Sequence, residues 1–199
     1  MLIEFNVKNF RSMKAETTFS LLASKDRLHE NNLIINKKLK KDRLLKSAVI
    51  YGANASGKSN VLIALNTMKN LITNSHRYQQ GEELNYQPFK LDPECPEEPT
   101  EFNLVFIKND IQYNYGFSYD SSRIINETLY WYPRGKKALV FSRKNTKEYK
   151  FTEDKKKQTF LSERTPENVL YLSRATQLNY EKTKEPMDWF ISDLRIILA

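Results

Sequence analysis

"VIYGANASGKSN", residues 49–60, sets Gly52, Gly57, Lys58 and Ser59 at the spacing G-x-x-x-x-G-K-[ST]. The whole chain of 199 residues has only five glycines. Two of them so close together mark a demand of the backbone. Glycine lets a loop turn so that successive N–H groups face inward as a nest for an anion. A helix starting directly afterwards adds its free N–H groups and the positive end of its dipole. The spacing therefore predicts a phosphate cradle made of Gly52, Ala53, Asn54, Ala55, Ser56, Gly57, Lys58, Ser59 and Asn60. In such a cradle Lys58 reaches the β- and γ-phosphates of a nucleotide such as ATP, and the Ser59 hydroxyl joins the shell of a Mg²⁺ ion.

The flanks agree with that reading. "KSAVIY" (46–51) is a short β-branched and apolar run suited to a buried strand. Beyond Ser59, the positions Val61, Leu62, Leu65, Met68, Lys69 and Ile72 fall near helical spacing and predict an amphipathic helix. Upstream, "MLIEFNVKNF" (1–10) alternates Ile3, Phe5 and Val7 with Glu4, Asn6 and Lys8, as a half-buried strand does. "TTFSLLAS" (17–24) is a candidate partner strand, and "KKLKKDRLLK" (37–46) reads as a solvated basic connection.

Downstream the composition changes. The stretch 79–101 is rich in proline and acid and predicts a surface loop. Then the period becomes two: "FNLVFI", "IQYNYGFSY" (111–119), "IINETLYWYP", "ALVFSRK" and "EYKFTE" read as an antiparallel meander from about 101 to 152. Tyr113, Tyr115, Phe117 and Tyr119 share one face, a core stripe rather than a stacking platform for bases. "EPMDWFISDLRIILA" predicts a final helix with Pro186 near its first turn and an apolar face left uncovered.

Lys and Arg number 32 against 24 Asp and Glu, a net charge of +8, which favours a polyanionic partner. Ten of the bases fall in residues 134–157 against three acids. Lys136, Lys137, Arg143 and Lys144 are the candidate contacts for a DNA or RNA backbone; the alternative is a solvated face. Cys95 is the lone cysteine, so neither an internal disulfide nor a cysteine zinc cluster forms. His29 and His76 are isolated in sequence, without the spacing of a metal centre. No secretory leader and no run of eighteen apolar residues is present, so a cytoplasmic protein without a membrane span is expected.

Taken together, "MLIEFNVKNFRS", "SAVIYGANASGKSNVLIALNTMKNLI", the β-rich stretch, "VLYLSRATQLN" and "WFISDLRIIL" resemble the N-terminal half of an ABC-type, SMC/RecF-like AAA family ATPase. Its relatives include the abortive-infection and overcoming-lysogenization-defect ATPases of phage defence. The resemblance implies an α/β P-loop NTPase head with an antiparallel β-subdomain, here apparently incomplete. It implies a P-loop core at 1–78, an acidic loop at 79–100, a β-subdomain at 101–165, and a Q-loop-like segment with a terminal helix at 166–199. It sets Arg11 and Ser12 of "NFRS" against the nucleotide. It makes Gln177 a Q-loop candidate that bridges metal and water through its amide, although an ordinary surface glutamine fits the sequence equally.

The chain also departs from the family pattern. No apolar run ends in the Asp-Glu of a Walker B strand, and no "LSGG"-like signature occurs. The expectation is an ATP- and Mg²⁺-binding half of a phage-defence or DNA-maintenance ATPase, completed by a C-terminal half or an effector partner and oligomeric when complete. The alternative is a non-catalytic nucleotide-binding or interaction module. A P-loop phosphotransferase is a third reading, for which no Arg-rich lid is found.

Overall fold

The structure is a computed structural model that describes residues 1–25, 29–35, 43–54 and 56–198. Ala55 of the phosphate loop, most of the 37–46 basic connection and Ala199 lie outside the described residues.

Nine strands and four α-helices are described. Strand β1 (Leu2–Lys8) pairs antiparallel with β2 (Thr17–Ser20) on one side. A short ribbon, β3 (Leu33–Ile35) with β4 (Arg43–Leu45), follows and seats Leu44 against Ile3 and Ile107. The long helix α1 (Lys58–Asn74) comes next. The alternating runs then form β5 (Thr100–Lys108), β6 (Ile111–Tyr119), β7 (Ile124–Trp131), β8 (Ala138–Lys144) and β9 (Glu148–Phe151). Three short helices follow: α2 (Lys155–Ser162), α3 (Tyr171–Gln177) and α4 (Glu181–Asp188).

The main sheet has seven strands in the order β2-β1-β5-β6-β7-β8-β9, every neighbour antiparallel. The N-terminal strand therefore belongs to the same sheet as the meander, inserted between β2 and β5. Register follows side-chain parity: Phe5 pairs with Leu104, Leu104 with Tyr115, and Tyr115 with Leu129. All four are fully buried. A one-residue slip would turn this row to solvent.

The inward face carries Phe102, Phe106, Tyr113, Tyr115, Phe117 and Tyr119, so the aromatic stripe of β6 is core. Against it pack Met68, Leu71 and Ile72 of α1 and Leu172 and Ala175 of α3. Each such side chain stabilises the fold by about 1.5–3 kcal/mol when removed from water.

Two sequence expectations are corrected. "KSAVIY" forms no strand: residues 47–52 lie in no regular element, and Val49, Ile50 and Tyr51 are 70, 41 and 84% exposed. A strand needs neighbours for its N–H and C=O groups. Among the described residues no strand of either sheet pairs with this segment. Next, the terminal helix starts at Glu181 with Pro186 inside it, and passes into a π-turn over Trp189–Asp193. Its apolar face is largely covered, because Trp189 stacks on Phe106 at 4.4 Å and Phe190 meets it edge-on at 5.4 Å. Only Ile191, Ile197 and Leu198 of that segment stay exposed among its large apolar residues. The end of the basic run is helical, since Lys155, Lys156 and Lys157 open α2.

Candidate functional site: a phosphate loop walled by the first turn

Helix α1 begins at Lys58, immediately after Gly57, whose φ of 90° is left-handed. Side chains rarely adopt that conformation, and glycine does so without a Cβ penalty. A second demand acts at the same position. A Cβ on Gly57 would lie 2.7 Å from the Ser12 hydroxyl. Ser12 is itself fixed, accepting a hydrogen bond of 2.7 Å from the Asn60 side-chain amide. The "FRS" turn thus closes one wall of the loop, with Ser12, Gly57 and Asn60 in mutual contact. At the other end of the loop, a Cβ on Gly52 would approach the Ser56 hydroxyl to 2.9 Å.

Lys58 folds back over the loop, its ammonium donating to the carbonyls of Gly52 at 2.9 Å and Ala53 at 2.6 Å. Ser59 is exposed beside it. Residues 56–60 line a cavity of about 340 Å³ at the helix start. A second cavity of about 430 Å³ lies between the loop and the first turn, with Ser12, Lys14, Tyr51, Ser56 and Lys58 in its walls. Among the described residues no acidic side chain lines either one. The donor set fits a triphosphate: a left-handed glycine hinge, free helix N–H groups, one lysine and one exposed hydroxyl. Its Mg²⁺ would be held by Ser59 together with the phosphates. Among the described residues no group of three or more His, Cys, Asp or Glu is placed to hold a metal.

Gly57→Ala tests this wall. The left-handed backbone alone costs about 1–2 kcal/mol, and the contact with Ser12 adds to it. We expect weaker ATP binding measured by calorimetry, with little change in melting temperature beyond that cost. The Ser12→Ala/Gly57→Ala double variant should recover only part, because it relieves the contact and leaves the backbone conformation.

Arg11 is placed one residue from the wall, at a left-handed φ of 49°. Its N–H donates to the Gln87 carbonyl at 2.8 Å and its Nε to the Gln87 amide oxygen at 2.6 Å. Gln177 is not gathered with these groups. It ends α3, is exposed, and accepts from Arg174 at 2.8 Å. Helix α3 is tied instead to the far end of α1, where Ser75 accepts from the Leu170 N–H and His76 meets the Ser173 hydroxyl at 3.0 Å.

The basic candidates also separate. Lys136 and Lys144 are exposed, and Lys137 sits 4.0 Å from the centre of the Tyr130 ring. Arg143 is corrected: it is 1% exposed and its guanidinium is spent on backbone carbonyls, so it cannot meet a nucleic-acid backbone. Its carbonyl partners are those of Thr146 at 2.5 Å, Val169 at 2.8 Å and Glu167 at 3.2 Å. Parity along β8 carried the signal, since Arg143 shares a face with Phe141. Two wall residues went unseen in the sequence. Lys14 carries no motif, and Tyr51 was assigned to a buried strand.

No helix among the described residues is long and apolar enough to cross a membrane. No curated protein matches the chain. One family model does, over residues 47–198, a span that opens just ahead of the phosphate loop and runs through the meander and the helices. Its description is "AAA domain, putative AbiEii toxin, Type IV TA system". With a candidate phosphate loop at Gly57 and Lys58 inside a mixed α/β fold, the chain belongs to this AAA-domain family and is a nucleotide-binding, ATPase-like module.

Proposed function

We propose that this chain is the ATP-binding part of an ABC-type, SMC/RecF-like ATPase acting in phage defence. The observation that carries the reading is the loop itself, where a left-handed Gly57, the folded-back Lys58 and the exposed Ser59 present one side of a triphosphate site. The abortive-infection wording of the family description supports the defence role. Exposed Val49, Ile50 and Tyr51 support completion by further strands from another segment or partner. Such strands would give the loop-entering segment the neighbours it lacks here. Arg11 and Ser12 form the nucleotide-side wall in this reading, and Gln177, exposed at the end of α3, is not gathered with them.

Lys58→Ala tests the assignment. In the resting loop Lys58 satisfies two carbonyls, and on binding it exchanges them for phosphate oxygens. Charge-assisted hydrogen bonds contribute about 1.5–3 kcal/mol, so Mg²⁺-ATP affinity should fall by about tenfold or more. Unchanged affinity in a folded variant would refute the phosphate loop.

A further inference from the structure

The segment after the long helix is built as precisely as the loop, although its sequence reads as an acidic connection. Asn9 is completely buried. Its side-chain amide donates to the Cys95 and Glu98 carbonyls, both at 2.8 Å, and its oxygen accepts from the Phe89 N–H at 3.0 Å. Arg11 grips Gln87 through backbone and side chain, as described above. Gln87 is fixed from its other end by donating to Asn85 at 2.6 Å. Arg11 keeps a left-handed backbone, a conformation that costs about 1–3 kcal/mol and persists only where its surroundings enforce it. Residues 11–12 and 87–91 enclose a cavity of about 450 Å³, within the range of about 300–1,000 Å³ common for small-molecule sites. Its walls are mainly apolar: Pro88, Phe89 and Leu91, the last 90% exposed with nothing over it.

Ser12 lines this cavity and also the one beside Lys58. Ser12 thus separates the two cavities, and a nucleotide with its phosphates in the loop can extend past it into the second one. We infer that the cavity between Arg11 and the Gln87–Leu91 segment receives the nucleobase, with Phe89 and Leu91 as the surface it rests on. The inference rests on the phosphate-loop reading and adds the residues that distinguish a nucleotide from bare phosphates. Both ends of the Gln87 amide are already engaged, so its role is to position Arg11 and the segment. The apolar surface provides the contact.

The test compares two probes on the same full chain by calorimetry, ATP and inorganic tripolyphosphate, each with Mg²⁺. Wild type should bind ATP more tightly than tripolyphosphate. Phe89→Ala and Leu91→Ser should each reduce that ratio, together by about tenfold, as expected for loss of a base-stacking surface. Tripolyphosphate affinity should hold in both variants. Lys58→Ala should weaken both probes alike, so failure of the phosphate loop reads differently from failure of the base site. Leu91→Ser alters an exposed side chain and keeps the test valid if Phe89→Ala does not fold. Equal affinity of wild type for the two probes would overturn the inference. So would a ratio that falls in Tyr51→Ala and not in the Phe89 and Leu91 variants, which would put the base on the opposite wall.

Discussion

Arg143→Ala should lower the unfolding free energy by about 3–5 kcal/mol, the cost of removing one partner from a buried charge pair. Arg143 and Glu127 are cross-strand partners on β8 and β7, 1 and 0% exposed. Their charges compensate each other across the pair while each is engaged by hydrogen bonds of its own. The Glu127 carboxylate accepts from the Tyr115 hydroxyl at 2.8 Å and from the N–H groups of Leu172 at 2.9 Å and Tyr171 at 2.6 Å. It therefore pins the first turn of α3, whose N–H groups have no partners within the helix. Arg143 pins the loop before that turn by its bonds to Glu167 and Val169. Without the guanidinium, the carboxylate stays buried with no opposing charge. Urea denaturation followed by circular dichroism measures the loss.

The pH dependence gives the sign. Burial raises the Glu127 pKa above its ordinary 4.5, opposed by Arg143 and by the hydrogen bonds it accepts. Removing Arg143 raises it further. A carboxyl with a raised folded-state value contributes stability below its unfolded value and loses it as pH climbs through the folded one. The deficit of Arg143→Ala relative to wild type should therefore be smallest at pH 4 and grow toward neutrality. A Glu127→Leu/Arg143→Met double variant removes both charges and should cost less than the sum of the two single changes, because neither charge is then left buried without the other. A deficit of less than 1 kcal/mol, flat with pH, would show that the pair does not anchor α3.

These two residues also show what the sequence made legible. Alternation locates β1 and β5–β9, because each strand turns alternate side chains toward the core. The same alternation places Arg143 with Phe141 and Glu127 with Leu129 on the inner face. Charge outweighed parity in the reading of Arg143, since a basic run suggests a polyanion before it suggests a core anchor. The candidate phosphate loop is readable in the sequence because its pattern is local: Gly57, Lys58 and Ser59 are consecutive. Ser12 entered only through resemblance, and its contact with Gly57 joins residues 45 positions apart, beyond the reach of spacing rules. The segment entering the loop was misread for a related reason. Val49, Ile50 and Tyr51 have strand propensity, yet propensity becomes a strand only beside another strand. Pro186 reads in the sequence as a helix start, whereas it sits within α4, which begins five residues earlier at Glu181.

Turnover separates an ATPase part from a binding module. Phosphoryl transfer to water depends on positioning and on charge placed around the γ-phosphoryl group. Lys58 and Ser59 supply one side of that arrangement, and among the described residues no carboxylate lines the cavities around them. Asp110 of the meander lies in the turn between β5 and β6 at a left-handed φ of 63°. Asp188 and Asp193 are paired with Lys108. We therefore expect residues 1–199 to bind Mg²⁺-ATP while releasing phosphate at the uncatalysed rate. Supplying the segment or partner that carries the Walker B carboxylates and the signature loop should raise turnover by about 10³-fold or more, the scale of charge stabilisation delivered in trans to a phosphoryl-transfer site. Lys58→Ala should abolish that gain. Phosphate release by 1–199 alone that is rapid and lost in Lys58→Ala would mean that a carboxylate of this chain reaches the γ-phosphate once nucleotide is bound. No gain with any complementing segment, despite tight ATP binding, would favour a binding module whose output is the nucleotide-bound state itself.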